Sequence, residues 1–228
     1  MSNETWRNIW ERKGHSVLQR GNLTVADLAE ADGFDSATGR KTAASWLHLS
    51  WQIRSLLNVR QHDRILEVGC GAGAVLRLLA ETGASLSGID YSAPHLEIAK
   101  RMLPTANFQH AAADNLPFGD ATFDAVFAYG VFLYFNDLAY AETALQEMLR
   151  VTKPGGKMLI MDIPDATKRL QTEAVRRAAG AFLHPPHLYY PKDFFRRFAL
   201  SHQLPVAIFD QDVPEYANAA FRFNAVFG

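Results

Sequence analysis

An apolar segment runs directly into three glycines at alternate positions, Gly69, Gly71 and Gly73. Residues 65–68 read Ile-Leu-Glu-Val, which is typical of a buried strand with one acidic residue. Glycine adopts backbone conformations that other residues avoid, and its lack of a side chain lets a ligand lie against the main chain. Because the leucine-rich segment 75–79 follows, we expect the turn to open onto a helix. This arrangement predicts a cradle for a nucleotide-type ligand.

The glycines alone leave the identity of that ligand open. Gly69, Gly71 and Ala74 also fit the G-x-G-x-x-G/A fingerprint of dinucleotide-binding sites. Asp90 lies about 20 residues further on, where such sites place an acid on a ribose. The turn therefore indicates an adenosine-containing cofactor at the end of the first strand, either a dinucleotide or another adenosine derivative.

Length and charge restrict the class of protein. The 228 residues suit one domain, or one domain with an appendage. A formal net charge of −1 does not favour nucleic acid or an anionic membrane as a partner. Residues 1–10 lack the apolar core of a signal peptide, and no apolar run approaches the roughly 18 residues of a membrane span. We expect a cytoplasmic protein.

Cys70 is the only cysteine, so no disulfide can form within the chain. It lies inside the glycine turn and has no obvious histidine base beside it. We interpret it as a small residue that fits the turn, with no role as a nucleophile. No metal site is predicted.

From residue 64 onward, predicted strands and helices alternate. The fourth strand is a nearly continuous apolar run, as expected for a strand that is buried on both faces. Ser92 and Pro94 indicate the start of a helix. Such alternation is typical of a doubly wound, parallel α/β sheet. The predicted strands cover 64–69, 85–90, 107–111, 123–129 and 157–162, and two of the predicted helices cover 73–82 and 138–151.

The tail of the chain departs from this alternation. Asp165 is a predicted cap for a helix, residues 184–190 predict an irregular loop, and Pro191 is the predicted start of the next helix. Two closing strands, near 206–210 and 221–227, are joined by a short loop, so we expect them to pair antiparallel. The predicted apolar faces carry Leu170, Ala174, Ala178 and Phe182 in the first helix, and Phe194, Phe195 and Phe198 in the second.

The first quarter of the chain is predicted to be helical. Trp6, Trp10 and Val17 belong to one helical stripe, and Thr24 with Asp27 resembles a capping box. Residues 1–60 are therefore predicted to form an aromatic helical cap or lid, which covers the mouth of the domain formed by residues 61–228.

From about Arg64 to its end, the chain resembles the class I S-adenosylmethionine-dependent methyltransferases. The first motif matches as Glu67 followed by the three glycines, and Asp90 ends the second strand. Residues 114–118 resemble the family's adenine-side segment, and residues 150–156 resemble its turn into the fifth strand. The closing hairpin is a further mark of this family, whereas dinucleotide dehydrogenases usually end with a parallel sixth strand. The resemblance implies a Rossmann-like, seven-stranded, mostly parallel sheet with a C-terminal antiparallel hairpin.

The resemblance also implies S-adenosyl-L-methionine as methyl donor and S-adenosyl-L-homocysteine as product. Asp90 would accept from the ribose hydroxyls in charge-assisted hydrogen bonds. Asp114 would accept from the adenine amino group, and the backbone of Asn115 would donate to a ring nitrogen. Glu67 would order the methionine amino group or stabilise the turn. The predicted cofactor set is Glu67, Gly69, Cys70, Gly71, Gly73, Asp90, Tyr91, Asp114, Asn115 and Tyr129.

The segment after the fourth strand bears on the methyl acceptor. Residues 128–135 contain no Asn/Asp-Pro-Pro-Tyr/Phe motif, which members that methylate exocyclic amines of adenine or glutamine carry there. The chain resembles instead the broad small-molecule group, so we expect a small-molecule acceptor. His187 and His184 are predicted candidate bases, because histidine exchanges protons near neutral pH. Tyr134 is predicted to orient the acceptor.

Several alternatives stay open at this point. Transfer to oxygen is favoured over nitrogen or carbon, because hydroxyl and carboxylate acceptors fit the His, Tyr and Arg side chains of the tail. An NAD(P)-dependent oxidoreductase would share the glycine turn. A non-catalytic subunit that only binds the cofactor would also keep it.

Overall fold

The computed structural model describes residues 5–36, 38–180 and 184–228. Their strands are β1 (Arg64–Val68), β2 (Ser85–Asp90), β3 (Asn107–His110), β4 (Phe123–Tyr129), β5 (Thr152–Pro164), β6 (Val206–Asp210) and β7 (Arg222–Phe227). Their α-helices are α1 (Trp6–Leu18), α2 (Val25–Ala31), α3 (Ala43–Leu56), α4 (Ala93–Met102), α5 (Leu138–Val151), α6 (Arg169–Ala178) and α7 (Lys192–Ser201).

The strands form one seven-stranded sheet with the spatial order β3-β2-β1-β4-β5-β7-β6. Strands β1 to β5 pair in parallel, and β7 pairs antiparallel with both β5 and β6. The predicted doubly wound α/β fold with a closing antiparallel hairpin is therefore confirmed. The carboxyl ends of β1, β2, β4 and β5 share one edge of the sheet, where ligands bind in open sheets of this kind.

Two apolar layers cover the two faces of the sheet, because successive strand residues point to opposite sides. On one face Leu66 and Val126 belong to a core that includes the inner sides of α5 and α7. On the other face Ile65 and Phe127 belong to a core that includes residues of α3 and α4. Both layers hold the central strands in place, so the strand ends that form the ligand edge are held as well.

The predicted α-helix over 73–82 is wrong. Only a short 3₁₀ helix, Leu76–Leu79, follows the glycine turn. The backbone N–H groups of Leu78, Ala80 and Thr82 donate to carbonyls three residues earlier, which is the hydrogen-bond pattern of a 3₁₀ helix. Leu76 and Leu79 are nevertheless fully buried, so the leucine-rich pattern correctly indicated a buried segment.

The predicted apolar face of the first tail helix is also wrong. Leu170 is 87% exposed, and the side chains that α6 buries are those of Thr172 and Arg176. Asp165 caps a short 3₁₀ helix, Ala166–Lys168, which precedes α6, because its carboxylate accepts from the backbone N–H of Thr167. Phe182, which was assigned to the same face, lies outside the described residues. Helix α6 thus turns the charged side chain of Arg176 inward.

Among the described residues, α1, α2 and α3 precede the sheet, so the first quarter of the chain is helical as predicted. The Asp27 carboxylate accepts from the Thr24 backbone N–H at 2.7 Å and so caps α2. Helix α1 packs on α4, where a Cβ atom on Gly14 would lie only 2.6 Å from the His95 ring. Within the described residues, no helix is long and apolar enough to cross a membrane. The lid role of residues 1–60 and the cytoplasmic location stay predictions.

We predict that Phe195→Ala lowers the free energy of unfolding by roughly 3–5 kcal/mol, because truncating a buried phenylalanine removes apolar contacts and leaves a cavity. Phe195 is 0% exposed and belongs to the core that α7 shares with the sheet. The matched control, Leu170→Ala, should change the free energy by no more than about 0.5 kcal/mol, because this leucine is exposed. Urea unfolding of the three proteins measures the difference, and a large loss in the Leu170 variant would contradict the packing described for α6.

Candidate active site

A cavity of about 1280 Å³ lies at the carboxyl edge of the sheet. Its walls come from the glycine turn, from the ends of β2, β4 and β5, from the start of β7, and from the N-terminal helices and the 184–187 loop. A single small ligand typically occupies a pocket of roughly 300–1,000 Å³, so this cavity has room for more than one ligand. Of the predicted site residues, the cavity wall includes Glu67, Gly69, Cys70, Gly71, Asp90, Tyr91, Tyr129, Tyr134, His184 and His187.

The glycine turn has the backbone shape that its sequence requires. Gly69, Gly71 and Gly73 have φ values of 74°, 52° and 86°, which residues with side chains rarely adopt. A Cβ atom on Gly69 would lie 2.5 Å from the Val131 side chain beyond β4, and one on Gly71 would lie 2.2 Å from the Asp32 carboxylate. Val131 and Asp32 fill the places that these side chains would take, so the turn requires glycine at both positions.

Asp90 ties the turn to the next strand. Its Oδ2 accepts from the Gly71 backbone N–H at 2.9 Å, and its Oδ1 accepts from the Ser92 backbone N–H at 2.8 Å. Burial raises the pKa of Asp90, and the nearby His95 and the two backbone hydrogen bonds offset this only in part. A carboxylate oxygen has more than one lone pair, so Asp90 can accept further hydrogen bonds from hydroxyl groups in the cavity.

Asp32 is a site residue that the sequence analysis missed. It follows α2, and its carboxylate accepts from the backbone N–H groups of Ala72 at 2.6 Å and Ala74 at 3.1 Å. Burial raises its pKa to about 6, although His95 and these hydrogen bonds act in the opposite direction. The acid stands at the end of a short helix, beside Gly33, and nothing in its local sequence relates it to a turn 40 residues away. The N-terminal helices are thus hydrogen-bonded directly to the glycine turn.

Glu67 and Cys70 are buried beside the same turn. Burial raises the pKa of Glu67 well above its ordinary value, and the neighbouring Asp32 raises it further. Glu67 Oε2 has no hydrogen-bond partner among the described residues, although Glu67 lines the cavity. Burial also raises the pKa of Cys70 well above its ordinary value, so the thiol stays protonated, as expected of a residue that is no nucleophile.

The predicted adenine-side residues lie outside the cavity wall. Asp114 is half-buried, Asn115 is exposed, and the Asp114 carboxylate accepts from the Tyr140 hydroxyl at 3.1 Å. Tyr140 does line the cavity, so Asp114 is one residue removed from it. Gly73 also lies behind the wall. Contacts of these three residues with a cofactor stay predictions.

Aromatic side chains close the cavity on the side away from the sheet. The Trp6 ring stacks on His187 at 5.1 Å, lies 4.8 Å from Tyr134, and meets His184 edge-on at 5.9 Å. Trp6 Nε1 also donates to the Pro186 carbonyl at 3.1 Å. The structure therefore brings the three predicted catalytic residues together, beneath a tryptophan of the first helix.

His187 is a weak base in this setting. Burial lowers its pKa well below the ordinary value, and the positive charges of Arg176 and Arg222 lower it further. Its Nδ1 atom is buried without a hydrogen-bond partner in the described part of the chain. The imidazole is therefore neutral at physiological pH, and it can exchange hydrogen bonds with a ligand while binding a proton poorly.

A second polar group of residues on the wall was also missed. Asp162 near the end of β5 and Arg222 at the start of β7 are both buried, and the Tyr216 hydroxyl donates to Asp162 Oδ2 at 2.8 Å. Two signals could have found them. An acid at the end of a parallel strand lies at the ligand edge. An arginine between Phe221 and Phe223 interrupts an apolar strand, and a charged side chain in such a strand needs an oppositely charged or hydrogen-bonding partner.

Comparisons with known proteins fit this geometry. Residues 66–160 match the model of the methyltransferase domain family. Demethylmenaquinone methyltransferase of Paenarthrobacter aurescens (strain TC1) is 32% identical over 130 residues, which cover 55% of this chain and 50% of that protein. O-methyltransferase resE of Aspergillus sclerotiorum is 32% identical over 142 residues, covering 59% and 53%. The chain spans about half the length of these curated relatives.

A solved structure resembles the fold over nearly the whole chain. Magnesium protoporphyrin IX methyltransferase from Synechocystis PCC 6803, with bound S-adenosylhomocysteine, superposes with a TM-score of 0.64 at 13% identity and covers 97% of this chain and 94% of that one. The sheet order and the glycine turn define a Rossmann-like methyltransferase domain. Residues 66–160 match the methyltransferase domain family, and the methyltransferase relatives support the predicted resemblance to class I S-adenosylmethionine-dependent methyltransferases and S-adenosylmethionine as the cofactor.

The residues present fit S-adenosylmethionine. The donor carries positive charge on its ammonium and sulfonium groups, and three acids, Asp32, Glu67 and Asp90, surround the glycine turn. The unpartnered Glu67 Oε2 is a polar atom available to such a ligand, and Gly69 and Gly71 both line the cavity. Asp90 would hold the ribose, and Glu67 with Asp32 would face the charged end.

We predict that Asp90→Ala weakens S-adenosylmethionine binding by at least tenfold, about 1.4 kcal/mol, because it removes a charge-assisted acceptor and frees two buried N–H groups. Calorimetric titration measures the affinity. Asp193→Ala, which removes an exposed acid in a surface ion pair with Arg197, is the control and should bind like the unchanged protein. Unchanged affinity in a folded Asp90 variant would remove this residue from the cofactor site.

Cofactor affinity should also depend on pH through Asp32. Its pKa of about 6 means that the carboxylate gains its negative charge as the pH rises from 5 to 7. We predict that S-adenosylhomocysteine, which carries an ammonium group, binds several-fold more tightly across this interval. Asp32→Asn should flatten the dependence, because the amide stays neutral throughout. Calorimetry at three pH values tests this, and an equally steep dependence in the variant would assign the effect to another group.

Proposed function

We propose that this protein transfers a methyl group from S-adenosylmethionine to an oxygen atom of a small-molecule acceptor. The observation that carries the proposal is the single cavity of about 1280 Å³, which extends from the glycine turn to the aromatic cluster around Trp6. Such a volume accommodates a cofactor at the turn and a second, largely apolar molecule beside it.

The bound donor supplies an electrophilic methyl group on a positively charged sulfur. The chain's own task is then to hold the acceptor oxygen in line with that group and to exclude water. Residues 1–60 act as the cap of the methyltransferase domain 61–228 in this proposal. Trp6 and Trp10 line the cavity, and Asp32 fixes the cap to the turn.

His187, His184 and Tyr134 contact the acceptor in this proposal. A neutral His187 accepts a hydrogen bond from an acceptor hydroxyl and so orients its oxygen, while Tyr134 packs against the acceptor ring. As the O–CH₃ bond forms and the S–CH₃ bond breaks, the hydroxyl proton must leave. Because burial, and then Arg176 and Arg222, lower the pKa of His187, its imidazole holds this proton only transiently and releases it to solvent. Transfer to oxygen, rather than to nitrogen or carbon, is supported by the polar groups around the aromatic cluster and by the relative named as an O-methyltransferase.

The proposal is tested with labelled S-adenosylmethionine and a panel of phenols, catechols and hydroxynaphthoquinones, each with an aniline analogue of matched shape. We expect labelled methyl ethers from a subset of the hydroxyl compounds, with the methyl position determined by mass spectrometry and NMR. Label on carbon or nitrogen would contradict transfer to oxygen. NAD(P) binding without S-adenosylhomocysteine binding would favour an oxidoreductase.

The same assay tests the contribution of the cap. Trp6→Ala should raise KM for the acceptor at least fivefold, because it removes an aromatic wall of the cavity, while S-adenosylhomocysteine affinity should change less than twofold. Trp51→Ala is the matched control, because this tryptophan is 64% exposed and lies outside the cavity wall. Equal acceptor KM in both variants would reject the role of the cap.

A further inference from the structure

The cavity has a second charged region besides the acids at the glycine turn. Arg222, the first residue of β7, and Arg176, in α6, both line the cavity, and they are 2% and 6% exposed. Burying a guanidinium group costs free energy unless oxygen atoms replace the water that it loses. The hydrogen-bond acceptors around each arginine therefore show whether its guanidinium group still needs oxygen atoms from a ligand.

Two N–H donors of the Arg222 guanidinium group have no hydrogen-bond acceptor within the described residues. Its Nε and Nη1 make no hydrogen bond within the described part of the chain. The nearest carboxylate oxygen, Asp162 Oδ1, lies 3.8 Å from Nε, beyond the roughly 2.7–3.2 Å of a hydrogen bond. Burial is the largest single effect on Arg222 and lowers its pKa, but Asp162 and three nearby tyrosines together outweigh it, so the pKa is raised. The side chain is therefore charged and incompletely satisfied.

Arg176 is held beside it by its own partners. Its Nη1 donates to Glu173 Oε1 at 2.9 Å, and its Nη2 donates to the Pro185 carbonyl at 3.1 Å. Helix α6 packs against the Ala219–Phe221 segment that directly precedes Arg222, and both arginines lie on the same cavity wall as His187. Their charges lower the pKa of His187, after the larger effect of burial. The inward direction of Arg176 explains why α6 buries this residue and exposes Leu170.

The two charged regions lie at different places along the sheet edge. From β1, which ends in the glycine turn, β4 and β5 intervene before β7. At about 4.8 Å per strand, three steps separate the acids of the turn from Arg222 by roughly 14 Å. A cationic cofactor would bind beside the acids of the glycine turn, so the region around Arg222 is available to the second ligand.

We propose that Arg222, supported by Arg176, binds a carboxylate group of the acceptor, so that the substrates are small aromatic acids. The inference rests on the proposed function, because it names the acceptor class of the same site. A carboxylate supplies the planar pair of oxygens that a guanidinium group binds best. Asp162 and Glu173 partly neutralise the two arginines, so removing the charge of Asp162 strengthens the site.

The test compares two ligands of similar shape, 3,4-dihydroxybenzoate and 3,4-dihydroxybenzamide, in which a neutral amide replaces the carboxylate. Each is titrated calorimetrically into protein saturated with S-adenosylhomocysteine. We expect the benzoate to bind at least tenfold more tightly than the amide. Arg222→Met should remove this preference while amide binding changes less than twofold, Arg222→Lys should restore part of it, and Asp162→Asn should increase it. Arg197→Met, at an exposed surface ion pair, is the control.

Equal binding of the two ligands by the unchanged protein would overturn the inference, as would an equal loss of both in Arg222→Met. Thermal unfolding and S-adenosylhomocysteine affinity establish that each variant is folded. Should Arg222→Met fail to fold, the same comparison in Arg176→Met decides, with an unaltered preference counting against the inference. Acid-selective binding without any O-methylated product would refute the proposed function alone. Methylation of the amide as readily as the benzoate would refute the inference alone.

Discussion

The close approach of bare backbone at Gly69 to Val131 is the contact on which the rest of the site depends. A Cβ atom at position 69 would lie 2.5 Å from Val131, so β1 and β4 can end side by side only because no side chain is present. On the opposite side, Asp90 binds the Gly71 N–H and fixes the turn to β2. The turn is thus held between two strands, and the cavity opens where these strands end.

Local patterns in the sequence were sufficient for most of the fold. Strand β4 and helix α5 begin and end at the predicted residues, because a nearly continuous apolar run and a 3.6-residue repeat are properties of the segment itself. Asp90 could be placed on the cavity wall for a similar reason, since its position at a strand end follows from the predicted topology. Site residues at the ends of the alternating strands could therefore be predicted from the sequence.

Features that depend on distant parts of the chain were not accessible. The bond between Asp32 and the Ala72 amide joins residues 40 apart, and no local pattern relates an acid after α2 to the turn. The inward face of α6 is set by the cavity and the 184–187 loop, so Leu170 was misplaced although the helix itself was predicted. The leucines after Gly73 indicated burial, but their spacing does not distinguish an α-helix from the 3₁₀ helix that the backbone hydrogen bonds form.

The antiparallel direction of β7 has a consequence for how such a chain can change its substrate. In a sheet with only parallel strands, each strand reaches the ligand edge with its last residues, which follow a buried run. Strand β7 runs the other way, so it reaches that edge with its first residue, Arg222, directly after the irregular segment 211–221. Substitutions or insertions there would alter the end of the cavity near β7 while β1 and β2, which hold the glycine turn, keep their pairing. If the acceptor lies at the β7 end, as proposed, the reversed strand lets acceptor binding change while the glycine turn stays the same.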